Sequence, residues 1–235
     1  ASGNVFGRIA KSCLSTVTAH AYHSRTHEID DRTTLALTLQ MQILLDGRPR
    51  ELKPATSDVL FIQTDACFDH VDGAVFAGIG AVVFAPCGKP LKYFSAKLSE
   101  TMVKNLNPGD RKTAIFECEF FALFCSLLLW GNMIGGSPVT YTDNNAVRDA
   151  LISCDTSNRV ARGILVATLA LEYCNQMCPW YARVPTDSNL SDGPSRLDVL
   201  RVKQLGAACE IIDVDDCWAQ HLALSKQWGE PKASC

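Results

Sequence analysis

The fold is predicted from the stretch Val59-Leu60-Phe61-Ile62-Gln63-Thr64-Asp65, which is mostly apolar and ends on a carboxylate. Such residues favour a pleated, at least half-buried strand. Ligands collect at strand ends in α/β sheets, so we expect an Asp at this place to have a chemical role. Two later segments repeat the pattern: a short apolar strand at 139–142 precedes Asp143, and a strand at 180–184 leads into a loop that reaches Asp192.

The order of predicted elements indicates an α/β protein with one mixed five-stranded sheet. Short connections join the first three strands into an antiparallel meander. Right-handed helical crossovers then add two strands parallel to the first, which places helices on both faces. The expected strands cover 59–65, 76–84, 91–96, 139–142 and 180–184, and the expected helices cover 112–132, 144–152 and 159–176.

Two details of this central region carry further expectations. Gly78 and Gly80 lie inside the second strand and mark a bulge or a close approach of another backbone. Residues 99–111 are polar and rich in Asn, Pro and Gly, so we expect a loop there.

The two ends of the chain are predicted to be separate from the central domain. Residues 1–54 form an N-terminal arm in this interpretation, with a solvated start and one helix from Asp30 or Asp31 to Gly47, followed by an extended basic linker at 48–54. His20, His23 and His27 have helical spacing, but no acid or cysteine completes a metal set. The domain is assigned to 55–206. The tail, 207–235, is expected to fold back as a helix or to dock on a partner.

Composition indicates an ordinary globular protein. Of 235 residues, 47% are hydrophobic and 20% charged, and the longest apolar run, at 120–130, is too short to span a membrane. No signal peptide is visible, so a reducing intracellular compartment is expected. The eleven cysteines include no Cys-x-x-Cys pair, which favours core side chains over zinc ligands or disulfides. The net charge of −3 means that any basic surface for nucleic acid is local or supplied by a partner.

Four acids are expected to meet at one edge of the sheet. Asp65 and Asp143 follow adjacent parallel strands, the long helix carries Glu119 over them, and Asp192 closes the set. Four crowded carboxylates repel one another unless hard divalent cations neutralise them. Two Mg²⁺ ions roughly 4 Å apart, for which Mn²⁺ substitutes, would hold the attacking water and the leaving oxygen of a phosphodiester. The predicted chemistry is that of a nuclease.

The element order and the four acids resemble the ribonuclease H fold. More narrowly, they resemble the ribonuclease H region of retrotransposon reverse transcriptases, particularly of DIRS-like (tyrosine-recombinase) elements. The likeness covers about 58–200, and residues 31–54 resemble the segment that connects such a domain to a polymerase. The matching blocks are Thr64-Asp65-Ala66, Gly78-Ile79-Gly80-Ala81-Val82, 115–122, Thr142-Asp143-Asn144-Asn145-Ala146, Arg183-Val184-Pro185 and 188–196.

The resemblance implies a role for each matching residue. Asp65 and Asp143 would bridge the metals, Glu119 would hold one metal and orient substrate, and Asp192 would complete the second site. Glu117 is the rival for Glu119, but a helix turns ~100° per residue, so the two cannot point the same way. The residues expected to contact nucleic acid are Asn144, Asn189, Arg183 and Arg196. Of these, Asn189 is also expected to hold its loop, and Arg196 to pair with Asp192.

Three functions remain open at this point. The first is a metal-dependent endonuclease that cuts the RNA strand of RNA–DNA hybrids, recognised by backbone shape and the 2′-hydroxyl. The second is a catalytically silent, domesticated domain that binds other protein subunits, or a polymerase domain, through its two arms. The absence of a His between Asp143 and Asp192, where many cellular ribonucleases H carry one, favours this second function. The third, an integrase or junction-resolvase relative, does not explain the Gly193-Pro194-Ser195-Arg196 block.

Overall fold

A six-stranded mixed sheet with helices against both faces forms the centre of the protein. The computed structural model describes residues 8–23, 28–46, 59–71, 73–134 and 137–229. The strands are β1 (Phe61–Val71), β2 (Ala74–Phe84), β3 (Pro90–Lys97), β4 (Val139–Thr142), β5 (Trp180–Arg183) and β6 (Ala208–Cys209). Their order across the sheet is β5-β4-β1-β2-β3-β6.

The strand directions confirm the predicted fold class. β2 pairs antiparallel with β1 and β3, and β4 pairs in parallel with β1 and β5. The prediction of five strands was one short, because β6 adds a parallel pairing of two residues to the outer edge of β3. A strand of two residues is too short to produce an alternating pattern in the sequence.

The helices within the described residues are α1 to α9, and a short 3₁₀ turn lies at Thr186–Ser188. None of the helices in the described part of the chain has the length and apolarity that crossing a bilayer requires. Their bounds are α1 (Arg8–His23), α2 (Asp31–Asp46), α3 (Glu100–Leu106), α4 (Ile115–Ile134), α5 (Asn145–Ser153), α6 (Arg159–Cys174), α7 (Asp192–Ser195), α8 (Leu200–Gln204) and α9 (Val214–Gly229).

The prediction that β1 ends at Asp65 is wrong, because the strand continues to Val71. Its parallel pairing with β4 stops at Gln63, opposite Tyr141, whereas its antiparallel pairing with β2 continues for the whole strand. β2 supplies hydrogen bonds beyond the end of β4, and the chain therefore stays extended past the carboxylate.

The predicted loop at 99–111 contains the helix α3. The Ser99 hydroxyl caps it by accepting a hydrogen bond from the Met102 backbone N–H at 3.1 Å. Met102 and Leu106, one turn apart, are buried. Capping and this single apolar pair therefore outweigh the polar composition of the segment.

The described part of the N-terminal arm contains two helices where one was predicted. α1 lies in the stretch that was expected to be solvated, and it buries Ile9, Ala10 and Cys13. The helix α2 agrees with the prediction, and the Asp30 carboxylate caps it through the Thr33 N–H at 2.7 Å. The predicted linker at 48–54, His27 and the side chain of His23 lie outside the described residues.

The core lies mainly between the sheet and α4, which is apolar around most of its surface and packs on β1 and β2. α7 contacts β1, β2 and β3 on the opposite face. The tail folds back as α9 against α6, as one of the two expectations for it had stated. One apolar cluster includes Ile9 and Ile43 of the arm, Phe124 of α4 and Cys217 of the tail. Among the described residues, one cluster therefore spans both predicted boundaries, at 54 and 206, which stay predictions.

Candidate functional site

The register of the sheet places Asp65 level with Asp143. Gln63 is the last residue of β1 that pairs with β4, opposite Tyr141, and each Asp lies two residues beyond that pair. The two carboxylates therefore stand where the parallel pairing ends. Asp65 is buried and Asp143 half-buried.

Glu119 reaches this point from the second turn of α4 and is held by two donors. The Thr142 hydroxyl donates to its Oε2 at 3.1 Å, and Asn144 Nδ2 donates to its Oε1 at 3.1 Å. Its rival, Glu117, is also buried but accepts hydrogen bonds from Arg111 and Asn158, away from the other acids. The preference for Glu119 over Glu117 agrees with this geometry.

Three of the four predicted acids come together. One ligand oxygen each of Asp65, Glu119 and Asp143 lies within 4.8 Å of the others. Burial raises the pKa of Asp65 to about 7, and the charges of Asp143 and Asp192 add to this against the opposing hydrogen bond from Ser195. Burial likewise raises the pKa of Glu119 to about 8, with Asn144 opposing and the charges of Asp143 and Asp65 adding.

Asp192 lies outside this three-carboxylate group. Its Oδ1 accepts from Arg196 Nε at 3.1 Å, one helical turn away, as the sequence had suggested. Arg196 also donates from Nη1 to Asp69 Oδ2 at 3.1 Å, and this contact was not anticipated. The guanidinium therefore spans two carboxylates at the rim of the site, and the role of Asp192 as a metal ligand stays a prediction.

The predicted nucleic-acid residues divide into two kinds. Asn144 and Asn189 make hydrogen bonds inside the protein. The side-chain oxygen of Asn144, Oδ1, caps α5 by accepting from the Ala146 N–H at 2.9 Å. Asn189 Nδ2 donates to the Thr64 backbone carbonyl at 3.2 Å. Asn189 is only 5% exposed, as its expected loop-holding role requires, and its contact with nucleic acid stays a prediction. Arg183 and Arg196 are exposed and remain candidates for such a contact.

Sequence reasoning missed three hydroxyl donors to the acids. Thr142 donates to Glu119 as described above, Thr186 Oγ1 donates to Asp143 Oδ2 at 2.8 Å, and Ser195 Oγ donates to Asp65 Oδ2 at 2.7 Å. Each donor stands in or beside one of the blocks quoted for the resemblance, and that position was the available signal. Their partners lie 23 to 130 residues away, a pairing that no local pattern predicts.

α7 lies so close to the sheet that glycines are required beneath it. A Cβ on Gly78 would stand 2.2 Å from the Ser195 carbonyl oxygen, and one on Gly80 would stand 2.5 Å from the Ser195 nitrogen. The predicted close backbone approach at these glycines is confirmed. It brings the end of the Asp192–Ser195 helix against β1 and β2.

The three-carboxylate group fits a hard divalent cation. Two of its members are largely buried, and burial disfavours their charged forms. The charge of Arg196 acts on Asp65, but its guanidinium hydrogen-bonds to Asp192 and Asp69 instead. Carboxylate oxygens are the ligands that Mg²⁺ and Mn²⁺ prefer. The arrangement can therefore bind a metal that balances its charge.

Solved structures with a similar fold are ribonucleases H. RNase H1 from the archaeon Halobacterium salinarum is 15% identical, with a TM-score of 0.45 over 60% of this chain and 96% of that chain. The N-terminal RNase H domain of a Mycobacterium tuberculosis protein is 17% identical, with a TM-score of 0.44 over 62% and 97%. LC11-RNase H1 from compost, in complex with an RNA/DNA hybrid, is 15% identical, with a TM-score of 0.46 over 61% and 99%.

No protein-family model and no curated protein matches the chain. The identities and TM-scores of the solved structures indicate a general similarity of fold and nothing about function. The chemistry of the site is therefore interpreted from its own residues.

Proposed function

We propose that the chain is a metal-dependent endonuclease of the ribonuclease H type that cuts the RNA strand of RNA–DNA hybrids. The observation that carries this proposal is the convergence of Asp65, Glu119 and Asp143 within 4.8 Å of one another. They come from two parallel strands and a helix, and each receives a hydrogen bond from a hydroxyl group. Such a group, largely buried where the parallel pairing of β1 with β4 ends, is typical of a catalytic metal site.

Asp65, Glu119 and Asp143 would hold Mg²⁺ or Mn²⁺, with Asp192 as the proposed fourth ligand. A bound divalent ion supplies charge stabilisation at a phosphodiester and lowers the pKa of a bound water. The protein orients the carboxylates through Thr142, Asn144, Thr186 and Ser195, and it excludes water from two of them by burial. For Asp192 to join, its carboxylate would have to leave Arg196.

RNA–DNA hybrid is the proposed substrate because of the sequence blocks quoted above, which also support descent from a DIRS-like reverse transcriptase. Arg183 is the last residue of β5 and Arg196 follows α7; both are exposed and suited to phosphate contacts. The net charge of −3 predicts weak, salt-sensitive binding by the isolated chain.

Cleavage of a labelled RNA–DNA hybrid with Mg²⁺ or Mn²⁺ tests the proposal. We expect wild-type protein to cut the RNA strand, and Asp65→Asn and Asp143→Asn to lose at least roughly 100-fold in rate because a ligand charge is removed. Asp149→Asn, on the exposed side of α5, serves as the matched control and should cut normally. Equal rates in the wild type and Asp143→Asn would exclude the assigned site.

A catalytically silent interaction domain is the second candidate, and the contacts of Arg196 favour it. This side chain already neutralises Asp192 and Asp69, so fewer acids are available to a second cation. If wild-type protein neither cuts the hybrid nor binds Mn²⁺ in calorimetry, this second function replaces the first.

A further inference from the structure

We propose that Ser195 is a positioning residue for Asp65, so that α7 acts on the site through a serine hydroxyl as well as through Asp192. The inference rests on the proposed function and extends it. Ser195 Oγ lies 2.7 Å from Asp65 Oδ2, and both side chains are buried. The two residues are 130 positions apart in the chain, so this contact joins the last block of the resemblance to the first.

The backbone of Ser195 is fixed from three sides. It lies directly over Gly78 and Gly80, where added Cβ atoms would be 2.2 and 2.5 Å from its carbonyl oxygen and its nitrogen. The Cys67 thiol donates to its carbonyl oxygen at 3.0 Å, and the Ser95 hydroxyl donates to the preceding carbonyl, that of Pro194, at 2.6 Å. The hydroxyl is therefore presented to Asp65 by a rigid support.

The hydroxyl proton has two acceptors within reach. Ser195 Oγ is 2.7 Å from the Asp65 carboxylate and 2.8 Å from the Asp192 carbonyl oxygen, but it carries one proton. An ionised carboxylate is the stronger acceptor, so Ser195 donates to Asp65 when that group is charged, as it must be to bind metal. Holding one oxygen fixes the rotation of the whole carboxylate relative to Glu119 and Asp143.

Ser195→Ala tests this role, with Ser126→Ala as the matched control. Both substitutions remove a fully buried serine hydroxyl, but that of Ser126 donates to the Leu123 carbonyl at 2.7 Å and takes no part in holding α7 or the carboxylates. We expect Ser195→Ala to weaken Mn²⁺ binding and to raise the Mn²⁺ concentration for half-maximal cleavage by roughly 10-fold or more, as other residues that orient metal ligands do. The kcat should fall while KM for the hybrid stays the same. Ser126→Ala should shift only the unfolding midpoint.

Ser195→Cys separates the loss of the hydrogen bond from a loss of folding, because a thiol fills similar space but is a weak hydrogen-bond donor. It should behave like Ser195→Ala in Mn²⁺ binding while keeping the circular dichroism of the wild type. Wild-type Mn²⁺ affinity in both folded variants would overturn the role of Ser195 and leave the proposed function intact. Absence of Mn²⁺ binding by the wild type would overturn both.

Discussion

Asn144 joins Glu119 to the first turn of α5: its Nδ2 donates to Glu119 Oε1 at 3.1 Å, and its Oδ1 accepts from the N–H groups of Ala146 and Val147 at 2.9 and 3.3 Å. Both ends of the amide are therefore used inside the protein. The orientation of a candidate metal ligand is tied to a helix cap, in a residue that the sequence had assigned to nucleic-acid contact.

Replacements of Asn144 separate these two tasks. Ser caps a helix about as well as Asn, but its side chain is too short to reach Glu119, whereas Ala does neither. We expect Asn144→Ala to lose about 1 kcal/mol of unfolding free energy relative to Asn144→Ser. Both should weaken Mn²⁺ binding by roughly 10-fold. Urea denaturation and calorimetry measure the two effects, and wild-type Mn²⁺ affinity in Asn144→Ser would show that Asn144 is only a cap.

The stability of the metal-free protein should fall as pH rises from about 5 to 8. Burial raises the pKa of Asp65 from 3.8 to about 7 and that of Glu119 from 4.5 to about 8. Between the unfolded and folded values, the folded state binds more protons than the unfolded state, so the unfolding free energy decreases with pH. Each pKa unit corresponds to about 1.4 kcal/mol, so the shift at either carboxyl group alone corresponds to a few kcal/mol.

Urea denaturation in the presence of a chelator measures this slope. Glu119→Gln should flatten it above pH 7, because the amide does not titrate. Saturating Mn²⁺ should raise stability most at pH 8, where the ligands are ionised. If the unfolding free energy of Glu119→Gln decreases with pH as steeply as that of the wild type, a group other than Glu119 causes the pH dependence.

The buried side chain of His221 is expected to change the unfolding free energy with pH in the opposite direction, at lower pH. Burial lowers its pKa from 6.5 to about 4, and neither ring nitrogen has a partner among the described residues. Between those values, the folded state binds fewer protons than the unfolded state, so stability is lost as pH falls from about 6.5 to 4. His221→Leu should reduce this loss in acid denaturation of the metal-free protein. An unchanged acid slope in His221→Leu would contradict the prediction.

Whether the sequence predicts a feature of this structure depends on how far apart in the chain the interacting residues lie. Alternation and turns in the central segment gave the order and direction of the first five strands, and their register then places Asp65 beside Asp143. The length of β1 was wrong, because it depends on pairing with β2 and not on the residues of β1 themselves. The helix α1 was missed altogether, since its burial arises from contacts with other parts of the chain, α2 and α6.

The site shows the same division. The three acids that meet could be named from their places in the blocks, but the donors that orient them could not. Ser195 reaches Asp65, and Thr186 reaches Asp143, only after the chain has folded. Asn189 shows why residue type alone does not determine a role: its amide is suited to nucleic acid, but it also holds the Thr64 carbonyl from a buried position.

α1 is predicted to be necessary for the stability of the domain. The Arg8 guanidinium lies 3.5 Å from Glu172 Oε1 and 4.6 Å from the centre of the Tyr181 ring, and Tyr181 also donates to Glu172 at 2.7 Å. Arg8→Met removes the cation of this buried ion pair and should cost about 3 kcal/mol. Arg8→Met with Glu172→Gln should recover most of this loss, a coupling that a double-mutant cycle measures.

Deletion of residues 1–54 should, for the same reason, abolish cooperative unfolding. The arm contributes Ile9, Cys13 and Ile43 to the main apolar cluster, and their removal exposes core surface. A truncated protein that unfolds cooperatively at the wild-type midpoint would show instead that the arm is separable and free to serve a partner.

Gly80→Ala should displace α7 from the sheet. The new Cβ would stand 2.5 Å from the Ser195 nitrogen and 2.7 Å from Pro194, and neither backbone can move without breaking its contacts. We expect a loss of about 3 kcal/mol, the upper end for overpacking. Gly109→Ala is the matched control: its Cβ would meet nothing closer than 4.0 Å, and its cost should stay within about 0.5 kcal/mol.

The same substitution also tests the link between the glycines and the carboxylates. If α7 moves, Ser195 leaves Asp65, so folded Gly80→Ala protein should need more Mn²⁺ for cleavage, as Ser195→Ala does. If Gly80→Ala has the unfolding free energy and the Mn²⁺ requirement of the wild type, the inference that α7 packs directly on Gly80 of β2 is wrong. Gly80 and Ser195 are far apart in sequence but serve one geometric requirement, because a side chain on β2 would keep the hydroxyl out of reach of Asp65.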